Sequence, residues 1–402
     1  MAATTTVRRF LATTVFVALL GGFGGVTEAR TTGIRIGTLA SGTYDAITDV
    51  TGVRVGQVTK IEGAPGPLRP GQGPVRTGVT VVLPNADPWQ ERVAAATYDL
   101  NGNGELTGAH WIDESGFLEV PIALTNTLDV GRVDDGVIDW LVAKHPNIGV
   151  SDDVPLPVVA ECDDQGLNDI VGRHVVPADV VTALERATAG DIERGNVGAG
   201  TGMRAFAFKA GIGTASRRTA AGGYTVGVLV NANTGSREEL RIDGVPVGRA
   251  LANEALPQLP KGAASYRPHG RAADGSIIVT IATDAPLDAR QLRELAKRAT
   301  LGLARTGLTS HISSGDLLVA FSTTHRYPRD AVAPLPVALV DNDDILDALF
   351  GATAEATEAA VIDALVSAKT LAGARGLVFF AMPLDRVRAI MASAKISLPS
   401  KR

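Results

Sequence analysis

One cysteine, Cys162, stands in 402 residues, so no intramolecular disulfide can form and packing alone must hold the fold. Aromatic residues make up only 4% of the chain. The six histidines (His110, His145, His174, His269, His311, His325) lie far apart, with no HExxH and no Cys/His spacing typical of zinc sites. No metal or other cofactor is indicated. Charge of one sign is also lacking: 38 Lys and Arg against 43 Asp and Glu give a formal net charge of −5. Without a long basic run there is no electrostatic footprint for nucleic acid or anionic lipid, and both are set aside as partners.

The chain opens on Arg8 and Arg9, an apolar stretch from Phe10 to Val26, and Thr27-Glu28-Ala29, which puts small residues where a signal peptidase reads. Residues 1–29 are therefore expected to be a cleaved signal peptide, and the mature protein to be periplasmic or secreted. The alternative is an uncleaved anchor. However, the stretch falls below the ~20 apolar residues needed to span and carries Gly21, Gly22, Gly24 and Gly25, so no stable membrane association is expected. The arginine pair hints at twin-arginine export, but Phe10 follows it directly and leaves both export routes open.

With 45% hydrophobic residues the chain can bury a substantial core, and ~150 residues per domain would allow two or three domains. Runs rich in β-branched residues predict strands at Val79–Leu83, Val120–Asn126, Pro157–Glu161, Tyr224–Asn233, Ile277–Thr283 and Leu317–Phe321. A helix is predicted over Asp288–Arg305, with Leu292, Leu295, Ala296, Ala299 and Leu303 on one face and Asp288 with Gln291 as a cap pair. Its charged stretch, Arg290 to Arg298, reads as a solvated face. A second helix starts near Asp343 or Asp344, with Ala352, Ala356, Ala360, Ala364 and Ala368 forming a small-residue stripe suited to close packing. Mixed strands and helices favour layered sheets covered by helices. Glu62–Pro74 and Arg249–Gly275, dense in Gly and Pro, read as exposed loops.

The second loop ends in Gly275-Ser276-Ile277-Ile278-Val279, delivering a hydroxyl to the first position of a buried strand. In isolation that dipeptide is an ordinary loop-to-strand junction. Its chemical interest is that a serine hydroxyl needs a base, and cleavage before the serine would supply its own α-amine, which titrates at roughly 7.7–8.0. A glycine before it, lacking a Cβ, would tolerate strained backbone during attack.

Ser276-Ile277-Ile278-Val279 followed by Ala282-Thr283-Asp284-Ala285-Pro286-Leu287 resembles the start of the β subunit in the L-aminopeptidase D-amidase/D-esterase family, which includes the β-peptidyl aminopeptidases. Further blocks extend the resemblance over nearly the whole mature chain: Asn101-Gly102-Asn103-Gly104, Gly200-Thr201-Gly202-Met203, Gly211-Ile212-Gly213-Thr214 and Ser313-Ser314-Gly315-Asp316 among them. It implies an α+β, four-layer αββα sandwich of the N-terminal-nucleophile type: a single catalytic domain, 30–402, that cuts itself into 30–275 and 276–402. It also implies a homo-oligomer of cleaved units that releases N-terminal residues from small peptides, amides or esters bearing a free amine.

Within that resemblance Ser276 is the catalytic nucleophile, Ser314 and Asp316 are its neighbours, Asn233 is an oxyanion donor and Glu161 binds the substrate ammonium. The i, i+2 spacing of Ser314 and Asp316 in an extended segment would point both to one face. Plainer readings stand beside these roles: a turn serine, a strand-end salt bridge, a strand-ending asparagine and an arginine ion pair, respectively. In one departure, where relatives often place a tyrosine as second oxyanion donor, this chain has Asp163, and an ionised carboxylate cannot donate. Cys162 reads as a small core hydrophobe. Gly200 to Ala205 matches GxGxxA but lacks a preceding strand and a later acid, so close backbone approach, not a dinucleotide, explains its glycines. The alternatives are an exported, non-cleaving binding protein of the same fold and an acyltransferase related to the ornithine acetyltransferases, which begin their β chain with threonine.

Overall fold

The computed structural model describes residue 1, residues 34–261 and residues 275–396. The expected signal peptide and the segment 262–274 before the expected cleavage point lie outside the described residues. The strands that carry the architecture are β1 (Arg54–Glu62), β2 (Val75–Leu83), β3 (Glu91–Gly102), β4 (Ile122–Thr125), β5 (Val158–Glu161), β6 (Ile212–Arg218), β7 (Thr225–Asn233), β8 (Ser276–Thr283) and β9 (Gly315–Ser322). Strands β1-β2-β4-β5 form one sheet, and β3-β9-β8-β7-β6 form the body of a second.

Helices α1 (Val130–Lys144) and α2 (Pro177–Glu185) pack on the smaller sheet, and α3 (Ala289–Arg305) and α4 (Asp343–Val366) on the larger. The result is the expected αββα sandwich. Its cause is legible in β8, where every position is buried and alternate residues serve two cores. Ile277, Val279 and Ile281 join Leu292, Leu295 and Ala299 beneath the helices. Ile278 and Ala282 join Val79, Val81 and Leu124 between the sheets. Each fully buried Ile or Val of this kind contributes roughly 1.5–3 kcal/mol.

The α3 cap forms as expected: Asp288 Oδ1 accepts from the Gln291 N–H at 2.7 Å, while Gln291 Oε1 accepts from the Asp288 N–H at 3.1 Å. Helix α4 starts at Asp343, capped by Asn342, and its small-residue stripe lets β6 and α3 approach closely. A Cβ on Gly213 of β6 would lie 2.0 Å from the Ala360 carbonyl oxygen.

Strand β8 pairs antiparallel with β7 and parallel with β9, a crossover that α3 supplies; β4 and β5 are likewise parallel, joined through α1. Strand β8 begins at Ser276 itself, the first strand position as expected, and Ser276 faces Asn233 on one side and Gly315 on the other. Strand β9 begins at Gly315, earlier than the expected Leu317, and Ser314 lies in the preceding turn, where its N–H donates to the His311 carbonyl at 2.8 Å.

Candidate active site

The ends of β3, β9, β8 and β7 lie side by side, bringing Gly102, Gly315, Ser276 and Asn233 into one row. The polypeptide that leaves β5 passes along this row: Glu161 by Gly104, Cys162 by Ser276, and Asp163 by Asn233. Between them opens a cavity of about 730 Å³ lined by Gly275, Ser276, Asn233, Glu161, Asp163 and Arg204, among others. Four residues singled out from sequence, together with the departing Asp163, thus share one wall. Ser276 is buried, 5% exposed, and lines this cavity.

Gly275 is fixed by sterics of a kind different from those anticipated. Its φ lies outside the left-handed range, but an added Cβ would stand 2.5 Å from the Asn233 carbonyl oxygen and 2.7 Å from Thr234 Cα. Close backbone approach, rather than strain, is what excludes a side chain. The Gly275 carbonyl oxygen accepts a hydrogen bond from the Gly315 N–H at 3.2 Å. The bond preceding Ser276 is therefore already polarised by a backbone donor.

Ser314 and Asp316 are both buried and do meet, as Ser314 Oγ donates to Asp316 Oδ1 at 2.6 Å. They do so across a turn-to-strand junction and not along an extended segment. Asp316 also accepts from the Ser310 hydroxyl and the Ile277 N–H, so three donors stabilise its charge; burial nonetheless pushes its pKa up. It is the register partner of Ile277, one rung beyond Ser276. No salt bridge holds Asp316 among the described residues, contrary to the plainer reading. Asn101 Nδ2 donates to the Ser314 carbonyl and Asn103 Nδ2 to that of Ser313 at 2.7 Å, so the Asn-Gly-Asn-Gly block anchors this turn.

Asn233 accepts from the Arg204 N–H at Oδ1, 3.1 Å, and donates from Nδ2 to the Asp163 carbonyl, 2.8 Å. These two bonds fix the orientation of the amide and leave a second Nδ2 hydrogen. Glu161 is 4% exposed and accepts from the Glu105 N–H at 3.1 Å and from the Thr127 hydroxyl. Burial raises its pKa. The arginine ion pair that sequence alone left open is not found among the described residues. The Asp163 carboxylate is turned onto the next residue but one, accepting from the Gln165 N–H at 2.8 Å and from Gln165 Nε2 at 2.5 Å.

Cys162 is wholly buried, as a core hydrophobe should be, yet its thiol lies against the Ser276 hydroxyl and donates to the Asn231 carbonyl at 3.5 Å. Desolvation pushes that thiol well above its ordinary pKa. Sequence reasoning gave Cys162, Thr127, Gln165 and Arg204 no part in the site. Only the last lay in a glycine-rich block that could have flagged it. That block is a backbone cradle: a Cβ on Gly200 would lie 2.3 Å from the Ile212 nitrogen. No group of three or more His, Cys, Asp or Glu side chains suited to a metal occurs among the described residues.

Residues 45–379 match peptidase family S58. The chain belongs to that family. It is a hydrolase, a serine aminopeptidase with the fold of the N-terminal-nucleophile hydrolases. It is 43% identical to the beta-peptidyl aminopeptidase BapA of Sphingosinicella xenopeptidilytica over 354 residues, 87% of each chain. Among solved structures, a Burkholderia sp. beta-aminopeptidase superposes with TM-score 0.80 at 40% identity, covering 93% of this chain and all of that one. The L-aminopeptidase D-Ala-esterase/amidase of Ochrobactrum anthropi, described as a prototype for the serine aminopeptidases and a variant of the Ntn hydrolase fold, superposes with TM-score 0.80 at 38% identity, covering 92% and 99%. This membership displaces the binding-protein and acetyltransferase alternatives for this S58 peptidase.

Proposed function

We propose that this aminopeptidase is made as a precursor and cuts itself between Gly275 and Ser276. In that step Ser276 Oγ attacks the Gly275 carbonyl carbon, its proton passing to the departing nitrogen, and water hydrolyses the resulting ester. The products are a Gly275 carboxylate and a Ser276 bearing a free α-amine. The observation that carries the reading is the Gly275 carbonyl itself, lining the catalytic cavity and already hydrogen-bonded to the Gly315 N–H at 3.2 Å. That donor can hold the oxygen as negative charge develops on it.

In turnover the Ser276 α-amine takes the hydroxyl proton as Oγ attacks a substrate carbonyl, then returns it to the leaving amine. Asn233 Nδ2 steadies the oxyanion. Ser314, its own proton committed to Asp316, offers a lone pair that orients the α-ammonium. Glu161 pairs with the free ammonium of the substrate, and the Asp163 carboxylate, occupied by Gln165, takes no part as a donor. The acid-rich lining of Glu105, Glu161 and Asp163 supports substrates with a free amine. The names of the relatives support small peptides, amides or esters of L-, D- or β-amino acids. Export after loss of residues 1–29 and assembly of cleaved units into an oligomer belong to the same proposal.

The test is the intact mass and N-terminal sequence of the purified protein beside Ser276→Ala, without added protease. Two fragments, one beginning at Ser276 and absent in the variant, are expected, together with loss of peptidase activity in the variant. A folded, uncut wild-type chain would refute self-activation.

A further inference from the structure

Among the described residues Lys209 is the only buried lysine, 0% exposed. It lies in the short hairpin Arg204–Ala205/Phe208–Lys209, as the register partner of Arg204. Its Nζ donates to the carbonyls of Met203 at 2.6 Å, Ala210 at 2.6 Å and Gly200 at 3.2 Å. Three acceptors match the three protons of an ammonium. Burial lowers the pKa of the amine, and the Asp164 carboxyl, acting through space, opposes that shift. Among the described residues no carboxylate accepts a hydrogen bond from it, so its charge is spread over peptide dipoles.

One of those peptides leads to the site. The Met203 carbonyl and the Arg204 N–H belong to the same planar unit, and that N–H donates to Asn233 Oδ1 at 3.1 Å. On its other side the Asn233 amide donates from Nδ2 to the Asp163 carbonyl at 2.8 Å. A flipped amide would set two donors face to face at Arg204 and two acceptors at Asp163. The hairpin turn is held in an unfavourable conformation: Phe206 and Ala207 have φ of 50° and 58°. Arg237 clamps both of their carbonyls, Nε to Phe206 at 2.9 Å and Nη2 to Ala207 at 2.7 Å. Such backbone persists where surrounding contacts over-determine it. Two buried cations therefore fix the hairpin at both ends against Asn233 and Thr234, whose carbonyl accepts from the Phe206 N–H at 2.8 Å.

Resting on the role given above to Asn233, we propose that Lys209 is a positioning residue for the oxyanion donor. Through the Met203–Arg204 peptide its ammonium locks the Asn233 amide and polarises it, so that the remaining Nδ2 hydrogen is a stronger donor. Hydrogen bonds in series reinforce one another in a low-dielectric interior. Positive charge at the head of the series lowers the energy of negative charge developing at its foot, and does little for the neutral carbonyl of a bound substrate. The contribution of Lys209 thus falls on kcat.

The experiment uses processed enzyme with L-alanyl and β-alanyl p-nitroanilides, rates being normalised to the fraction of chain cleaved. Lys209→Met, neutral and of similar length, is expected to lower kcat and kcat/KM together by about tenfold or more, part of what a whole oxyanion donor contributes. With Asn233→Ala already in place, the same substitution should cost less than about twofold, because its path to the oxyanion is gone. Lys209→Gln, which keeps an NH2 donor without the charge, carries the same comparison if the methionine variant does not fold. In wild-type protein carrying nitrogen-15 lysine, a slowly exchanging ammonium resonance at neutral pH is expected from Lys209, and a neutral amine there would overturn the proposal without any variant. Equal losses in both backgrounds, or an unchanged kcat in the Lys209 variants, would overturn it and leave the Asn233 role standing. An unaltered kcat in Asn233→Ala alone would overturn both.

Discussion

The steric bind at Gly275 sets a sharp requirement for the proposed processing. A methyl group there would meet the Asn233 carbonyl oxygen at 2.5 Å, so Gly275→Ala should slow self-cleavage by at least about tenfold even though Ser276 is intact. Time-resolved denaturing gels of freshly expressed protein would show the precursor accumulating. Glu161 carries a pH signature. Burial holds its pKa above the ordinary 4.5, and the neutral acid gives a substrate ammonium no counter-charge. For a free-amine substrate, kcat/KM should therefore be fully expressed above that raised pKa and fall as pH drops through it, an acid limb that Glu161→Gln removes. Stability responds with the opposite sign. The folded state holds this proton more tightly than the unfolded chain does, so its contribution is present below the unfolded pKa and is lost as pH rises through the folded one. These residues could be read from sequence because each lies in a short local block. Arg204 and the contact of Cys162 with Ser276 could not, being products of segments distant in the chain meeting at one sheet end.

Helix α3 and strand β6 mark the limits of pattern reading among the elements. The Asp288 cap of α3 was legible because both partners lie within three residues; Asp288→Ala should cost about 1 kcal/mol and lower Tm by about 2 °C, measured by thermal unfolding of processed enzyme. Strand β6, Ile-Gly-Thr-Ala-Ser-Arg-Arg, offers no apolar run, yet all but its last residue are buried. Its polar groups are satisfied from afar: Thr214 Oγ1 by the Val228 carbonyl, Ser216 Oγ by Asp49, and Arg217 by Glu355 at 2.6 Å. Such partners are invisible to periodicity. Strands β1 and β3, whose patterns are interrupted by Lys60, Arg92 and Asp99, were missed too. Gly213→Val should be far more damaging than its place in a polar sequence would suggest. The side chain would enter the Ala360 turn of α4, costing several kcal/mol and leaving little soluble protein.

Across the whole molecule, the proposed cut falls before a strand bonded on both sides, β7 along Val226–Asn233 and β9 along Gly315–Ser322. The pairings that hold β8 begin at Ser276 and run on from the cut. The two fragments should co-elute at the native mass of the uncut Ser276→Ala protein and separate only on a denaturing column. The native state is thereby indifferent to the cut, whereas the denatured state is not: one chain becomes two. Unfolding of the precursor is a first-order exchange between states of one molecule, but refolding of the processed enzyme requires an encounter. Its melting temperature acquires a dependence on protein concentration, and recovery from denaturant fails on dilution. If the proposed cut is made, the precursor can retrace its folding path alone, whereas the mature enzyme, once opened, has to find its other half.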